Sequence, residues 1–232
     1  MIKSTGSDDR KKAFLQTALE LFYQKGYEHT KITDICEKMD VTKGAFYHYF
    51  DSKEDVIIAL GKAFTERGTK IINEVFKRDD LTTVEKFNKA LVSVNEYKIR
   101  EREWRLKFKT AIETDENLKL QHIVTNSLKM EVSGLYEELI DMGVKEGVFG
   151  DPVNSSELAE FFLNTIFSLN VEVDKLEKEL YDKEKKSDYQ SILNKLETKL
   201  RFHEVMLKRI FQLQEGEFDL ITPYFLRVKG GE

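Results

Sequence analysis

The chain has 232 residues, with two prolines, 12 glycines and one cysteine; 34% of it is charged and 41% hydrophobic. Average usage puts about one residue in twenty as proline, and turns between strands depend on proline and glycine, so a mostly helical chain is expected. One cysteine excludes an internal disulfide framework. No apolar run approaches the ~18 residues of a membrane span, and the opening MIKSTGSDDRKK lacks the apolar stretch of a signal peptide, so the expectation is a soluble cytoplasmic protein with no membrane partner.

The net charge of −5 reads at first as an argument against nucleic acid. Residues 1–53, however, hold nine Lys+Arg against eight Asp+Glu, so the acidity lies beyond them. That asymmetry has the sign expected of a small binding head on an acidic body.

In chain order, Phe14, Leu15, Ala18, Leu19, Leu21 and Phe22 recur at helical spacing and predict a first helix opening near Asp8. Asp8 and Asp9 suit the positive end of that helix, and Gly26 can take the left-handed position after its last turn. A second helix is expected from Thr30 as N-cap, with Ile32, Ile35, Cys36 and Met39 on its inner face. A third opens at Thr42 and buries Phe46 and Phe50. Met39-Asp40-Val41 leaves room only for a tight turn between the last two, which describes a helix-turn-helix over residues 1–53. Cys36 reads as a core thiol.

Beyond Asp51 the helices lengthen. Ser52-Lys53-Glu54-Asp55 is a capping-box variant opening a linking helix from about residue 52 to about residue 78. Thr82 and Glu85 form a full box ahead of Val84, Phe87, Leu91 and Val94. A shorter helix spans Trp104 and Phe108. Leu128, Val132, Leu135, Leu139 and Met142 mark an inward seam, closed by Gly143, Gly147, Gly150 and Pro152. Asn154 and Glu157 cap a helix carrying Leu158, Phe161, Phe162, Ile166 and Leu169. The last predicted helix runs from about Tyr189 to Gln214 with Ile192, Leu196, Leu200 and Ile210 inward. Residues 172–201 hold eight Lys+Arg and eight Asp+Glu and read as the tip of a helical hairpin, either a solvated charged face or a coiled-coil-like contact to a second subunit. Pro152 and Pro223 are expected outside helix interiors. The fold class is all-α.

The useful chemistry concentrates between Val41 and Lys53. With Phe46 and Phe50 turned inward, the third helix offers Thr42, Lys43, Ala45, Tyr47, His48 and Tyr49 to the other side. Exposed aromatics in that number mark a contact surface. Gly44 costs a helix about 1 kcal/mol relative to alanine and permits close approach. A recognition helix in a major groove needs such a set: N–H groups and dipole toward phosphate, a lysine for phosphate or guanine, and tyrosine hydroxyls that fix register.

Gly26-Tyr27-x-x-Thr30-x-Ile32-x-Asp34-Ile35-Cys36, followed by Val41-Thr42-Lys43-Gly44-x-Phe46-Tyr47-x-Tyr49-Phe50-x-x-Lys53-Glu54, resembles the DNA-binding domain of the TetR family of transcriptional regulators. The resemblance covers roughly residues 8–60. It implies an all-helical homodimer with an N-terminal helix-turn-helix domain (1–53) and a larger helical ligand-binding and dimerisation domain (54–232). It further implies double-stranded operator DNA as partner, and repression relieved by a small-molecule effector. Thr42, Lys43, Gly44, Tyr47, Tyr49 and Lys53 fall on the family's DNA-contacting positions, and Thr30 and Lys31 on the preceding phosphate-contacting helix. His48, at a variable position, is expected to tune sequence preference. Trp104, Phe108 and Phe162 are the implied ligand-cavity aromatics, and Leu169, Leu196, Leu200 and His203 the implied dimer residues. The segment from Lys145 to Pro152 is similar to a connector of the family's ligand domain. Two departures stand out: Asp40 replaces the usual turn glycine, and Tyr49 stands where histidine is common.

No catalytic Ser/His/Asp set occurs, and His29, His48, His122 and His203 lack metal-ligand spacing. No strand precedes Gly143, Gly147 and Gly150, so they are not a phosphate loop. Neither enzyme, metal nor cofactor is expected. The acidic body favours a neutral or cationic apolar effector. The competing readings are a helical adaptor using residues 172–201, and an activator of the same family without an effector.

Overall fold

The computed structural model describes residues 6–112, 118–150, 154–181, 189–214 and 216–229. Among the described residues there are ten helices and no strand, as the all-α expectation requires. They are α1 Gly6–Lys25, α2 Ile32–Lys38, α3 Lys43–Tyr47, α4 Lys53–Phe76, α5 Thr83–Arg100, α6 Arg102–Ile112, α7 Leu118–Lys145, α8 Ser155–Tyr181, α9 Tyr189–Phe211 and α10 Ile221–Lys229. None is long and apolar enough to cross a membrane. The chain divides into two compact units, Met1–Arg67 with Glu101–Glu131, and Gly68–Arg100 with Val132–Glu232. Helices α4 and α7 contribute turns to both, and residues 1–53 fall wholly within the first.

In the first unit α1 buries Phe14, Ala18 and Phe22 on one face against Ile35 of α2, Phe46 of α3 and Val56 and Ile57 of α4. The Phe14 ring meets Phe46 edge-on at 5.8 Å and Phe50 at 6.3 Å. With five residues, α3 is far too short to persist alone; these rings hold it. Truncating one such phenylalanine costs about 3–5 kcal/mol, against a total stability of about 5–15 kcal/mol for a domain. The α2–α3 turn is tight. Asp40 takes φ +52°, its N–H donates to Glu37 O at 3.1 Å, and the Val41 N–H donates to Cys36 O at 3.0 Å. Aspartate tolerates this left-handed backbone better than most residues. Gly26, at φ +83°, closes α1 as expected.

One helix start differs from expectation. The N-cap of α2 is Lys31, whose N–H donates to Asp34 Oδ2 at 3.1 Å. Thr30 is drawn inward instead, its hydroxyl bonding to Gly26 O at 2.8 Å and Leu21 O at 3.3 Å. The other boxes form. Ser52 Oγ accepts from the Asp55 N–H at 3.0 Å, while the Asp55 carboxylate accepts from Asp51, one residue earlier than the usual pattern. Thr82 and Glu85 cap each other reciprocally, and Asn154 Oδ1 caps α8 through the N–H groups of Ser156 and Glu157.

The second unit is built around Phe87 of α5. Its ring packs against Tyr136, Phe149, Phe162, Phe211 and Phe218 with centroids 4.7–6.0 Å away. After α7 the chain folds back: the Val148 and Phe149 N–H groups both donate to Gly143 O. The Phe149 ring then lies so close on Gly143 that a Cβ there would have no room. Helices α8 and α9 pack together, and Lys199 Nζ reaches Glu172 Oε2 at 3.0 Å between them.

Helix α10 was not anticipated. Asp219 caps it, accepting from the Thr222 N–H at 2.9 Å, and Pro223 sits inside its first turn, where a missing N–H costs nothing. Pro152 and the charged turn 182–188 lie outside the described residues. Met142 and Ile210, expected inward, are exposed, as is Phe161 of α8. Leu169, Leu196 and Leu200, expected at a dimer surface, are instead fully buried in the core of their own unit.

Candidate nucleic-acid interface

Helix α3 presents its outer side as the sequence pattern suggests. Thr42, Lys43, Gly44, Tyr47 and His48 are all exposed, with 53% of the Tyr47 surface open to solvent, while Phe46 is fully enclosed beneath them. Thr42 is also the N-cap, its Oγ1 accepting from the Ala45 N–H at 3.3 Å. Tyr49 is half-buried: its ring lies 5.6 Å from Phe14 and 4.9 Å from His48, which stands edge-on against it. The packing ring of Tyr49 thus fixes the direction of the more exposed His48. Tyr47 is similarly braced, edge-on to Phe46 at 5.5 Å.

The flanking residues divide. Lys31 is exposed at the start of α2. Thr30 is buried, with its hydroxyl used inside the fold, so it positions α2 and offers no free group. Lys53 is only partly exposed; its Nζ donates to Tyr27 O at 2.6 Å and lies 4.2 Å from the centre of the Tyr27 ring. Burial draws the Lys53 pKa below the ordinary lysine value. Burial, then Glu54 and Glu28, pushes the Tyr27 hydroxyl up to about 12. Lys53 therefore ties α4 to the loop after α1. Cys36 is a buried thiol whose pKa is raised by burial.

Sequence reasoning passed over Lys11. It is exposed on α1 with Nζ 5.7 Å above the Phe50 ring, so a second cation stands at the far end of α3. The run Arg10-Lys11-Lys12 was the available signal; its phase on α1 points at Phe50 only once Phe14 is known to sit beside it.

The implied ligand aromatics belong to different units. Trp104 is stacked between Phe64, at 5.1 Å, and Phe108, at 5.2 Å, in the first unit. Phe162 belongs to the core of the second. His203 is partly exposed and its Nδ1 lies 2.8 Å from Lys199 O on its own helix. The surface beside it is apolar: Phe202, Val205 and Ile210 of α9 are exposed, as are Phe161 and Val171 of α8. On α9 the exposed Phe202, Val205 and Ile210 alternate with the buried Leu196, Leu200, Leu207 and Phe211. Sequence spacing turns Leu196 and Leu200 inward, but it sets Ile210 with them and leaves Phe202 and Val205 unassigned.

Residues 14–60 match the family model described as bacterial regulatory proteins, tetR family. An uncharacterised HTH-type transcriptional regulator of Bacillus subtilis (strain 168), YuxN, is 37% identical over 76 residues, 32% of this chain and 26% of that protein. The chain thus matches only about a quarter of that relative's length. The HTH-type transcriptional repressor KstR2 of Rhodococcus jostii (strain RHA1) is 28% identical over 169 residues, 69% of this chain and 77% of that one. Among solved structures, Salmonella enterica GusR superposes with a TM-score of 0.59 at 18% identity, over 90% of this chain and 99% of its own. At that identity the likeness is one of fold.

Proposed function

Because this chain is a member of the TetR family of bacterial regulatory proteins, we propose that it is a DNA-binding transcriptional repressor working as a homodimer on an approximately palindromic operator. The observation that carries the reading is the outer side of α3, where Thr42, Lys43, Gly44, Tyr47 and His48 stand exposed on a helix locked from beneath by Phe46 and Phe50. In this reading Lys43 neutralises phosphate or donates to guanine, and Tyr47, Tyr49, Lys31 and Lys11 fix the register on the backbone. His48 reads the neighbouring base edge. Lys53 acts mainly by holding α4.

The second subunit joins through the exposed apolar face of α8 and α9. Phe161, Val171, Phe202, Val205 and Ile210 are costly to leave in water. An isologous contact covers each of them twice. Two recognition helices so joined would reach successive major grooves about 34 Å apart. A small molecule bound in the second unit would favour a subunit arrangement with another spacing, and so shift the population away from the DNA-bound form. The name of one relative, a repressor, supports the sign of the regulation.

The test is selection of a duplex by the full-length protein from random sequence, followed by anisotropy titration of wild type, Lys43→Ala and Tyr47→Ala. The expected result is a palindromic consensus and at least tenfold weaker binding of both variants. A protein that enriches no sequence, or variants that bind like wild type, would overturn the assignment of α3.

A further inference from the structure

The second unit keeps a layer of polar side chains in its interior. Arg227 of α10 is buried, pairs with Asp174 and Glu177 of α8, and donates to Asn170 Oδ1 at 2.8 Å. Lys98 of α5 donates to the same oxygen at 2.7 Å. Two cations thus stand with two carboxylates around the Asn170 amide. Beside it, two neutral side chains hold polar atoms that are fully enclosed and have no partner among the described residues: Asn95 Oδ1 on α5 and Tyr224 Oη on α10. The Asn95 amide is oriented, because its Nδ2 donates to Leu91 O at 2.9 Å.

These two atoms come from matched positions. Helices α5 and α10 pack side by side. Asn88 of α5 donates to Glu217 O and accepts from the Asp219 N–H, while further along both helices Lys98 and Arg227 meet at Asn170. The helices therefore run parallel in one register, and that register sets Asn95 level with Tyr224, one turn before the shared asparagine. Tyr136 of α7 lies within electrostatic reach of Tyr224, and burial pushes both phenols above the ordinary tyrosine range. The surroundings are apolar. Phe162 lies 5.1 Å from the Tyr136 ring, and Phe87, Phe149, Phe211, Leu213 and Phe218 of the aromatic core enclose no space large enough for a water molecule. Native interiors satisfy nearly all their polar atoms. An acceptor and a donor unmet by the fold, at the same level of two packed helices, call for a partner from outside the chain.

We propose that Asn95 and Tyr224 are the polar anchors of a binding site, between α5 and α10, for an uncharged and largely apolar molecule carrying a hydroxyl group. The site rests on the reading that a small molecule governs DNA binding, and it gives that molecule a chemical class. A hydroxyl answers both orphans at once: it donates to Asn95 Oδ1 and accepts from the Tyr224 hydroxyl. The apolar remainder is received by the aromatic core, whose rings must part to admit it. An ionised group is excluded, since burial without a counter-charge is too costly.

The test is thermal unfolding of full-length wild type, Tyr224→Phe and Asn95→Leu, alone and with 1-octanol, octanoate or octylammonium, alongside titration of the selected duplex. Tyr224→Phe deletes one unmet hydroxyl, so its Tm is expected to stay level or rise by about 2–4 °C. In wild type 1-octanol is expected to raise Tm while neither ion does, and both variants are expected to bind 1-octanol about tenfold more weakly. A Tm several degrees lower for Tyr224→Phe would mean the hydroxyl is satisfied within the fold, and overturns the proposal. Equal stabilisation of all three proteins by 1-octanol, or none of wild type, overturns it as well. Stabilisation that depends on Asn95 and Tyr224 but leaves duplex affinity unchanged upholds the site and refutes only its control of DNA binding.

Discussion

Phe202→Glu is the most direct perturbation of the proposed dimer face. In the single subunit 61% of Phe202 is open to solvent. A phenylalanine offers roughly 200 Å², which leaves roughly 120 Å² uncovered and worth about 3 kcal/mol at ~25 cal/mol per Å². A two-fold contact counts the residue twice, so its loss costs about 6 kcal/mol, or roughly four powers of ten in the dimer Kd. A carboxylate buried opposite its own copy adds to that cost. Because the side chain is peripheral to its own unit, the monomer should remain folded. Sedimentation velocity at micromolar concentration, with circular dichroism on the same samples, should show a folded monomer. Leu196→Glu provides the contrast: Leu196 is fully enclosed in its own unit, so the substitution should unfold the second unit rather than divide a dimer. An intact Phe202→Glu dimer, or a well-folded monomer from Leu196→Glu, would refute this account of the two faces of α9.

Asp40→Gly removes the side chain from a left-handed position, at φ +52°; it should stabilise the first unit by up to about 1 kcal/mol, read as a higher urea midpoint with duplex affinity unchanged. Acid should weaken the fold through its caps. The Thr82 N–H, then the Thr82 hydroxyl, holds the Glu85 carboxyl below its ordinary value, and the Lys31 N–H does the same for Asp34. A depressed folded-state value means stability that is fully present above the unfolded values of 4.5 for Glu85 and 3.8 for Asp34, and that is lost as pH falls through the lower folded-state values. Urea midpoints taken between about pH 6 and pH 3 should therefore decline more gently for Glu85→Ala than for wild type.

The helix-turn-helix was readable because its determinants are local. Gly26 and Asp40 set their turns by their own backbone freedom, Phe46 and Phe50 share a face by spacing alone, and Thr42 caps α3 within three residues. Thr30 was misread as a cap because a threonine hydroxyl serves either a helix start or a nearby carbonyl. Only the packing of α1 against α2 decides for Gly26 O and Leu21 O. The same limit applies to α9, where spacing sets Ile210 with Leu196 and Leu200 on the inner side and passes over Phe202 and Val205; the packing leaves Ile210, Phe202 and Val205 exposed. Helix α10 escaped notice because its proline falls in the one turn that tolerates it. Asn95 and Tyr224 were invisible as a pair, since the parallel register of α5 and α10 spans some 130 positions of sequence.

The central claim is that α3 reads duplex DNA. Its most direct test is the affinity of the full-length protein for its selected duplex, measured across a salt series for wild type and Lys43→Ala. The account predicts binding that weakens steeply with salt, an affinity at least tenfold lower for Lys43→Ala, and a log–log salt slope reduced by about one for each recognition helix. Equal affinity and equal slope for the two proteins would contradict it.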